Sequence, residues 1–396
     1  MTDPAAGDPI GPTAGRGRPL RVAFVPDRIG GLSAAEAGTA LATGWRSRRP
    51  DDELVVVPFG ASGAGLLDAY AALAQAPVSV ASAVPSPAVD PVSTESTLLL
   101  EVAGPETLLV GVDAAPRAAL PGADPSRDAS SWAWGEAIAR ALTGRTDVRH
   151  LVVDLAGGGA RDGGAGLLGA LGATADVPLD RGIAGLTGIT ALDLTAPRDA
   201  LAGIEQLVAV VPADQADRPL FGLRGIASLH GVALREQGLP WDPADLLAAD
   251  ATLQRLAGLA SPGRADAAGL GACGGVAYAL AALGASVSTG PAWLAELTGL
   301  EETLAAADVV VTGSGAYDFA HRGGETVETV VGLAGRAMRP VIAVAGYVTI
   351  SSREMRAYGL DAAYAVHAGV PGETVSVDRA DLEEMGRRVA RTWAGG

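Results

Sequence analysis

Residues 150–173 read HLVVDLAGGGARDGGAGLLGALGA, and the fold turns on them. Leu151, Val152 and Val153 form an apolar run that ends at Asp154 and Leu155. Such a run predicts a strand buried on both faces. Gly157, Gly158 and Gly159 follow, then Arg161 and Asp162, then Gly163 and Gly164. Ala165–Leu171 is small and apolar, as a helix packed tightly on a sheet requires. A strand, a glycine loop and a helix start can cradle an anion, because backbone N–H groups approach an oxyanion closely there. Asp162 is a candidate base, or a holder of a metal-bound phosphate. A tight turn with close helix–sheet packing explains the same residues. The loop matches neither GxxxxGK[ST] nor GxGxxG, so both common nucleotide fingerprints fail.

Outward from this stretch, strands and helices alternate. Leu20–Val25 is a strand, and Pro26–Gly31 a loop. Leu32–Glu36 opens a helix to about Arg48, with Ser33 and Glu36 spaced as a capping box. Leu54–Val57 is a second strand, followed by the glycine loop Pro58–Gly65 and a helix from Leu66. The pattern predicts an α/β fold with a doubly wound parallel sheet and loops at the carboxyl ends of strands. Turn signals are dense between Pro77 and Pro91. Thr97–Val102 and Thr107–Val112 then resemble an antiparallel hairpin or meander. Asp308–Thr312 and Val341–Ala345 are later strands, with a loop Gly313–Gly324 and a helix Glu325–Met338 between them. The expected organisation is a disordered tail over 1–19, one domain from 20–66 and 284–396, and an inserted α/β domain over 67–283.

Composition narrows the function. A length of 396 residues allows two domains with a sizeable core. A net charge of −16 argues against nucleic acid and anionic membranes as partners. It leaves a small acidic metabolite open, since a local loop or arginine can overcome the mean field. The single cysteine, Cys273, cannot form an intramolecular disulfide and fits a cytoplasmic protein. His150, His230, His321 and His367 show no metal-ligand spacing. His321 stands in a loop after a strand and is the one to watch.

Six loops, in order, carry a resemblance. PDRIGGLSA, PFGASGAGL, GGGARDGGAGLLGALG, RPLFG, GACGGVAYAL and TGSGAYDFAHRGGE follow the sequence PDSFKGSLSA, PVADGGEGT, GGSATNDGGAGMLxALG, NPLxG, GAAGGLGAAL and TGEGxxDxQTxxGK. From Arg21 to nearly the C-terminus the chain resembles the bacterial glycerate kinases of the glycerate 2-kinase type. The resemblance implies a Rossmann-like sheet built from both chain ends, an inserted α/β domain, and an active site in the cleft between them. It also implies ATP and magnesium as cofactors, with D-glycerate as the phosphate acceptor. Asp162 and Asp318 become candidate catalytic acids. Asp27, Arg28, Gly157, Gly158, Gly159, Arg161, Gly163, Gly164, Gly313, Gly315 and Arg322 become candidate phosphate or substrate contacts.

Departures fall where the chemistry should be. The motif lysine is Gly30, its acids are Ala61, Ala64 and Ser314, and the late lysine aligns with Glu325. Phosphoryl transfer is mostly positioning plus electrostatic stabilisation. One lost donor typically removes about 10²–10³ in rate. Two functions therefore stand open: an ATP-dependent kinase for glycerate or a related hydroxy acid, and an inactive family member that binds a metabolite, a nucleotide or a protein. Under either, the glycine loops are expected to admit an anion, aided by Arg28 and Arg161.

Overall fold

The computed structural model describes residues 18–84, 97–112, 127, 129–156, 160–236, 238, 241–261, 267–319, 322–368 and 376–393. The strands are β1 (Arg21–Pro26), β2 (Glu53–Val56), β3 (Val78–Val84), β4 (Thr97–Ala103), β5 (Thr107–Val112), β6 (His150–Asp154), β7 (Thr174–Ala175), β8 (Leu192–Asp193), β9 (Gln206–Val210), β10 (Ser286–Ser288), β11 (Val309–Tyr317), β12 (Val341–Val348) and β13 (Ala362–Ala365). The helices are α1 (Ala34–Arg46), α2 (Ala64–Ala74), α3 (Trp132–Leu142), α4 (Ala165–Ala170), α5 (Gly182–Gly185), α6 (Thr195–Ala200), α7 (Ile226–Glu236), α8 (Pro243–Ala260), α9 (Val276–Ala282), α10 (Gly290–Thr298), α11 (Leu300–Ala306), α12 (Gly324–Arg336), α13 (Ser352–Ala357) and α14 (Arg379–Trp393).

Two large sheets organise these elements. The first is parallel throughout, in the order β13-β12-β11-β1-β2, and draws on both chain ends. The second has the order β10-β9-β6-β5-β4-β3. Its β10, β9, β6 and β5 are parallel, while β5, β4 and β3 form an antiparallel meander. Strand β6, the apolar run of the opening stretch, thus lies in a different sheet from β1.

Sequence patterns dictate these strands and their caps. Leu151, Val152 and Val153 are all buried, as a strand covered on both faces demands. At the start of α1, the Ser33 hydroxyl accepts from the Glu36 amide and the Glu36 carboxylate accepts from the Ser33 amide. Helix α1 packs its Leu41 and Trp45 against Leu382, Met385 and Val389 of α14. The backbones meet closely, since a Cβ on Gly386 would fall against the Leu41 carbonyl.

Three expectations need correction. The return to the first sheet comes later than Gly284, because β10 pairs with β9 in the second sheet. The segment after Pro77 is not only turns: β3 occupies Val78–Val84 as the outer strand of the meander. Residues Gly313–Tyr317 are strand rather than loop. β12 runs long enough to pair with them, Gly313 opposite Val344 and Tyr317 opposite Val348. The predicted tail lies almost wholly outside the described residues, as do Gly157, Gly158, Gly159 and His321.

The sheets share one apolar contact. Val152, Val208 and Val210 of the second sheet join a core with Ala23, Val25 and Val310 of the first, with Phe59, Leu66 and Trp293 among them. Tyr70 of α2 stacks edge-on against Trp293 of α10 at 5.4 Å and donates its hydroxyl to the Thr107 carbonyl at 2.9 Å. That places the carboxyl end of β1 close to the carboxyl ends of β6 and β9. No described helix is long and apolar enough to cross a membrane.

Candidate functional site at the junction of the two sheets

Five segments meet at these strand ends. β1 delivers Asp27, whose carboxylate accepts from its neighbour Arg28 N at 2.7 Å and from Thr326 Oγ1 of α12 at 2.7 Å. The β2–α2 loop delivers Ser62 and Gly63, which both donate to Asp154 at the end of β6. The turn Ala213–Gln215 after β9 donates the Ala213 amide to Glu325 Oε1 at 2.8 Å. Three acids, Asp27, Asp154 and Glu325, therefore stand around one junction.

Their titration follows from burial. Desolvation raises Asp27, with Thr326 and Arg28 opposing it. Desolvation also raises Glu325, and Asp214 and Asp27 push it in the same direction. Asp154 is pushed up to about 7 by burial, with Glu325 adding repulsion and the Ser62 and Gly63 donors opposing.

Asp154 fills a particular place. Gly63 caps α2, so its amide belongs to the electropositive end of that helix. Such an end is a ready anion site. Here a carboxyl of the chain itself, reaching over from the other sheet, already occupies it at 2.6 Å.

Asp162 is not where the sequence suggests. A base or catalytic acid must reach its substrate, but the Asp162 side chain is fully buried. It accepts from Ser131 N at 2.8 Å, Ser131 Oγ at 2.9 Å, Gly164 N at 3.0 Å, Gly166 N at 3.1 Å and Ser130 Oγ at 3.4 Å. Those bonds tie the start of α3 to the start of α4. Desolvation raises its pKa and the donors oppose that rise.

Gly163 and Gly164 are packing residues in this geometry. The Gly163 amide donates to the Gly274 carbonyl at 3.0 Å, and a Cβ on Gly164 would strike Ala279 of α9. Arg161 lies half-buried beside the same Ala272–Gly275 turn. Cys273 in that turn is buried and its thiol is pushed up by desolvation, as in an unreactive packing residue.

The remaining candidates scatter. Arg28 pairs with Asp68 at 2.9 Å. Asp318 is buried and accepts from the Tyr347 hydroxyl at 3.2 Å. Arg322 lies over the Tyr358 ring, 4.2 Å from its centroid. Gly313 is buried in β11 and Gly315 is exposed. Sequence reading missed Asp154 as a site residue, although it ends the apolar run as the only charge in it. Glu325 was seen only as a replaced lysine. Among the described residues, no three of His, Cys, Asp and Glu are grouped to hold a metal.

Two mainly parallel sheets joined at their carboxyl ends define an α/β protein with its site at an inter-sheet junction. The family model for the glycerate kinase family matches residues 23–394. The chain belongs to the glycerate kinase family. It is 31% identical to an uncharacterised protein of Mycobacterium tuberculosis, over 88% of this chain and 84% of that one. It is 28% identical to the glycerate 2-kinase of Escherichia coli, over 88% of this chain and 90% of that one. A crystal structure assigned as glycerate kinase 2 from Salmonella typhimurium shares the fold, with a TM-score of 0.72 at 24% identity, covering 94% of this chain and 98% of that one.

Proposed function

We propose that this family member phosphorylates glycerate very weakly or not at all, and that it retains the kinase scaffold to bind a small polar metabolite. One observation carries the reading: Asp154 already occupies the anion position at the start of α2. Electrostatics around it point the same way. All 29 cationic residues of the chain are arginine, so no lysine exists anywhere to replace the one missing at Gly30. Arg28, beside Gly30, is held by Asp68.

The residues at the junction suit the phosphates of ATP poorly. A transferring phosphoryl group needs cations or N–H donors around its oxygens. Asp27, Asp154 and Glu325 are of the type that holds magnesium, but they bring no positive charge of their own, and an arginine fork does not copy an ammonium point charge. The buried Cys273 accords with a cytoplasmic setting for the protein.

A second reading, an ATP-dependent kinase for glycerate or a related hydroxy acid, is favoured by the buried Asp318 at the carboxyl end of β11. Purified protein with ATP, magnesium and D-glycerate, scored for ADP release, separates the two. The expected rate lies at least about 10³-fold below an intact family kinase run beside it. Gly30→Lys is expected to restore nothing. Gly30 has a φ of +61°, and a Cβ there would lie 2.8 Å from Val377 Cβ. Robust glycerate-dependent ADP release, lost in Asp318→Ala, establishes the kinase instead.

A further inference from the structure

Helices α7 and α8 form an antiparallel pair with an apolar outer face. A Cβ on Gly231 of α7 would strike Leu246 of α8, and the Gly222 amide, just before α7, donates to Asp250 of α8 at 2.8 Å. The chain therefore runs out along α7 and back along α8. Leu234 of α7 and Leu253 and Leu256 of α8 are buried on the inner side. Val232 and Leu247 each follow their helix's contact residue by one position, a turn of about 100° away from those leucines. On antiparallel helices the same turn brings both side chains to the outer face. Leu229 joins them one helical turn before Val232. Leu223, before α7, and Trp241, before α8, extend the apolar surface to either end. All five are exposed, Leu223 to 97% and Leu247 to 72%, and they make up half of the ten large hydrophobics exposed among the described residues. A patch of this kind on a protein surface marks an interaction site.

The face is complementary to itself. Glu236 continues the Leu229–Val232 stripe at the far end of α7, and Arg224 stands before its start. Arg224 reaches Asp217 at 3.6 Å, with both side chains more than two-thirds exposed. Consider a two-fold axis that crosses α7 at right angles between His230 and Gly231. It sets position 229 opposite 232, and each Arg224 opposite the Glu236 end of the other copy. Opposite charges therefore meet at both ends of the contact, as an isologous interface requires. The same rotation brings Leu223 to the loop that carries Trp241. Leu247 is level with the middle of α7 and meets its own counterpart. Each chain carries a net charge of −16, but repulsion between the bodies of two copies is screened beyond about 8 Å at physiological salt.

We propose that the outer face of α7 and α8 is a dimerisation surface, closed by a second copy of this chain with α7 laid antiparallel on α7 and α8 on α8. The apolar residues form the centre of the contact, and the Arg224–Glu236 pairs form its rim. Size sets its strength. Two packed helices of this length offer a flat footprint of about 20 by 25 Å. Side-chain relief raises the area buried toward the low end of specific interfaces, about 600 Å² per partner. The dimer is therefore weak, and it does not depend on whether the inter-sheet junction binds a metabolite or transfers phosphate.

Sedimentation equilibrium of the full chain at physiological salt tests this. The wild type should dimerise with a dissociation constant on the order of 10 µM. Leu247→Glu sets two carboxylates against each other on the axis and should weaken the dimer at least about 100-fold. Its side chain is mostly exposed, so the fold is kept, and Val232→Glu repeats the test at a second position. Arg224→Glu and Glu236→Arg each place like charges at both ends and should each weaken the dimer about tenfold, since every dimer holds the pair twice. The double variant Arg224→Glu/Glu236→Arg restores opposite signs and should return to within about threefold of wild type. A wild type that stays monomeric to about 100 µM, ten times the expected constant, overturns the proposal and leaves the face to a different partner. A dimer unmoved by Leu247→Glu and Val232→Glu overturns it as well. A double variant weaker than either single one rules out the antiparallel register.

Discussion

Asp162→Ala is expected to lower the free energy of unfolding by roughly 3–5 kcal/mol, since it leaves several buried donors without an acceptor at about 1–3 kcal/mol each. Asp162 receives the amides of Ser131, Gly164 and Gly166 and two serine hydroxyls. Alanine would leave those donors buried with no acceptor. The damage would reach both α3 and α4, because Ser131 Oγ also accepts from Leu167 N at 3.0 Å. Urea unfolding followed by circular dichroism measures the loss. Asp162→Asn, which keeps one acceptor and adds a donor in conflict with the others, should fall between the two. A wild-type midpoint for Asp162→Ala would show that the carboxyl does not hold the loop, and would return it to the catalytic candidates.

The frame of the fold was legible because its signals are local. Four-residue apolar runs, a capping box at Ser33 and Glu36, and glycines after strands each express a short-range preference. The meander β3–β5 was half legible. Thr97–Val102 and Thr107–Val112 alternate well enough, but β3 reads VSVASAV between prolines and carries no strong pattern. It exists as a strand because β4 offers it hydrogen bonds, which is a tertiary cause. β10 is short for the same reason: three residues, SVS, are recruited by β9. The extension of β11 through Gly313 and Gly315 depends on the length of β12 and is invisible in its own glycine-rich sequence.

The site was less legible because chemistry there depends on which segments meet. Glycines and an aspartate in GARDGGAG suit either a ligand loop or a tight packing loop, and periodicity cannot separate them. The structure turns Asp162 inward because the start of α3, some thirty residues earlier in the chain, places Ser131 against it. Asp154 escaped notice for the opposite reason. In sequence it is the end of a strand, and only the approach of Ser62 and Gly63 from another sheet gives it a partner. Ala61 and Ala64 mark lost acids at one loop, yet the carboxyl that now meets this loop at Ser62 and Gly63 is supplied from 92 and 91 residues further on, a relation no motif encodes.

Gly274→Ala tests the packing account of the glycines most severely. Gly274 has a φ of +63°, a conformation that side chains rarely adopt. A Cβ there would fall on the Ala160 carbonyl oxygen and approach Arg161 Cα at 3.3 Å. Neither backbone can yield easily. The Gly274 carbonyl accepts from Gly163 N at 3.0 Å, and the preceding Cys273 amide donates to Gln215 Oε1 at 3.0 Å. Relieving the clash therefore means breaking bonds that tie the Ala272–Gly275 turn to Gly163 and to Gln215. Strain, overlap and lost bonds together should exceed about 4 kcal/mol, among the largest effects a single methyl group can have. Gly315→Ala is the matched control. Gly315 has no atom within 4 Å of its added Cβ, and its substitution should stay within about 0.5 kcal/mol of wild type. Thermal and urea unfolding of the two variants side by side give the answer. A tolerated Gly274→Ala would mean that the loops do not meet as closely as their backbones require. Recognition of a ligand, rather than packing, would then be the reason glycine occupies both of them.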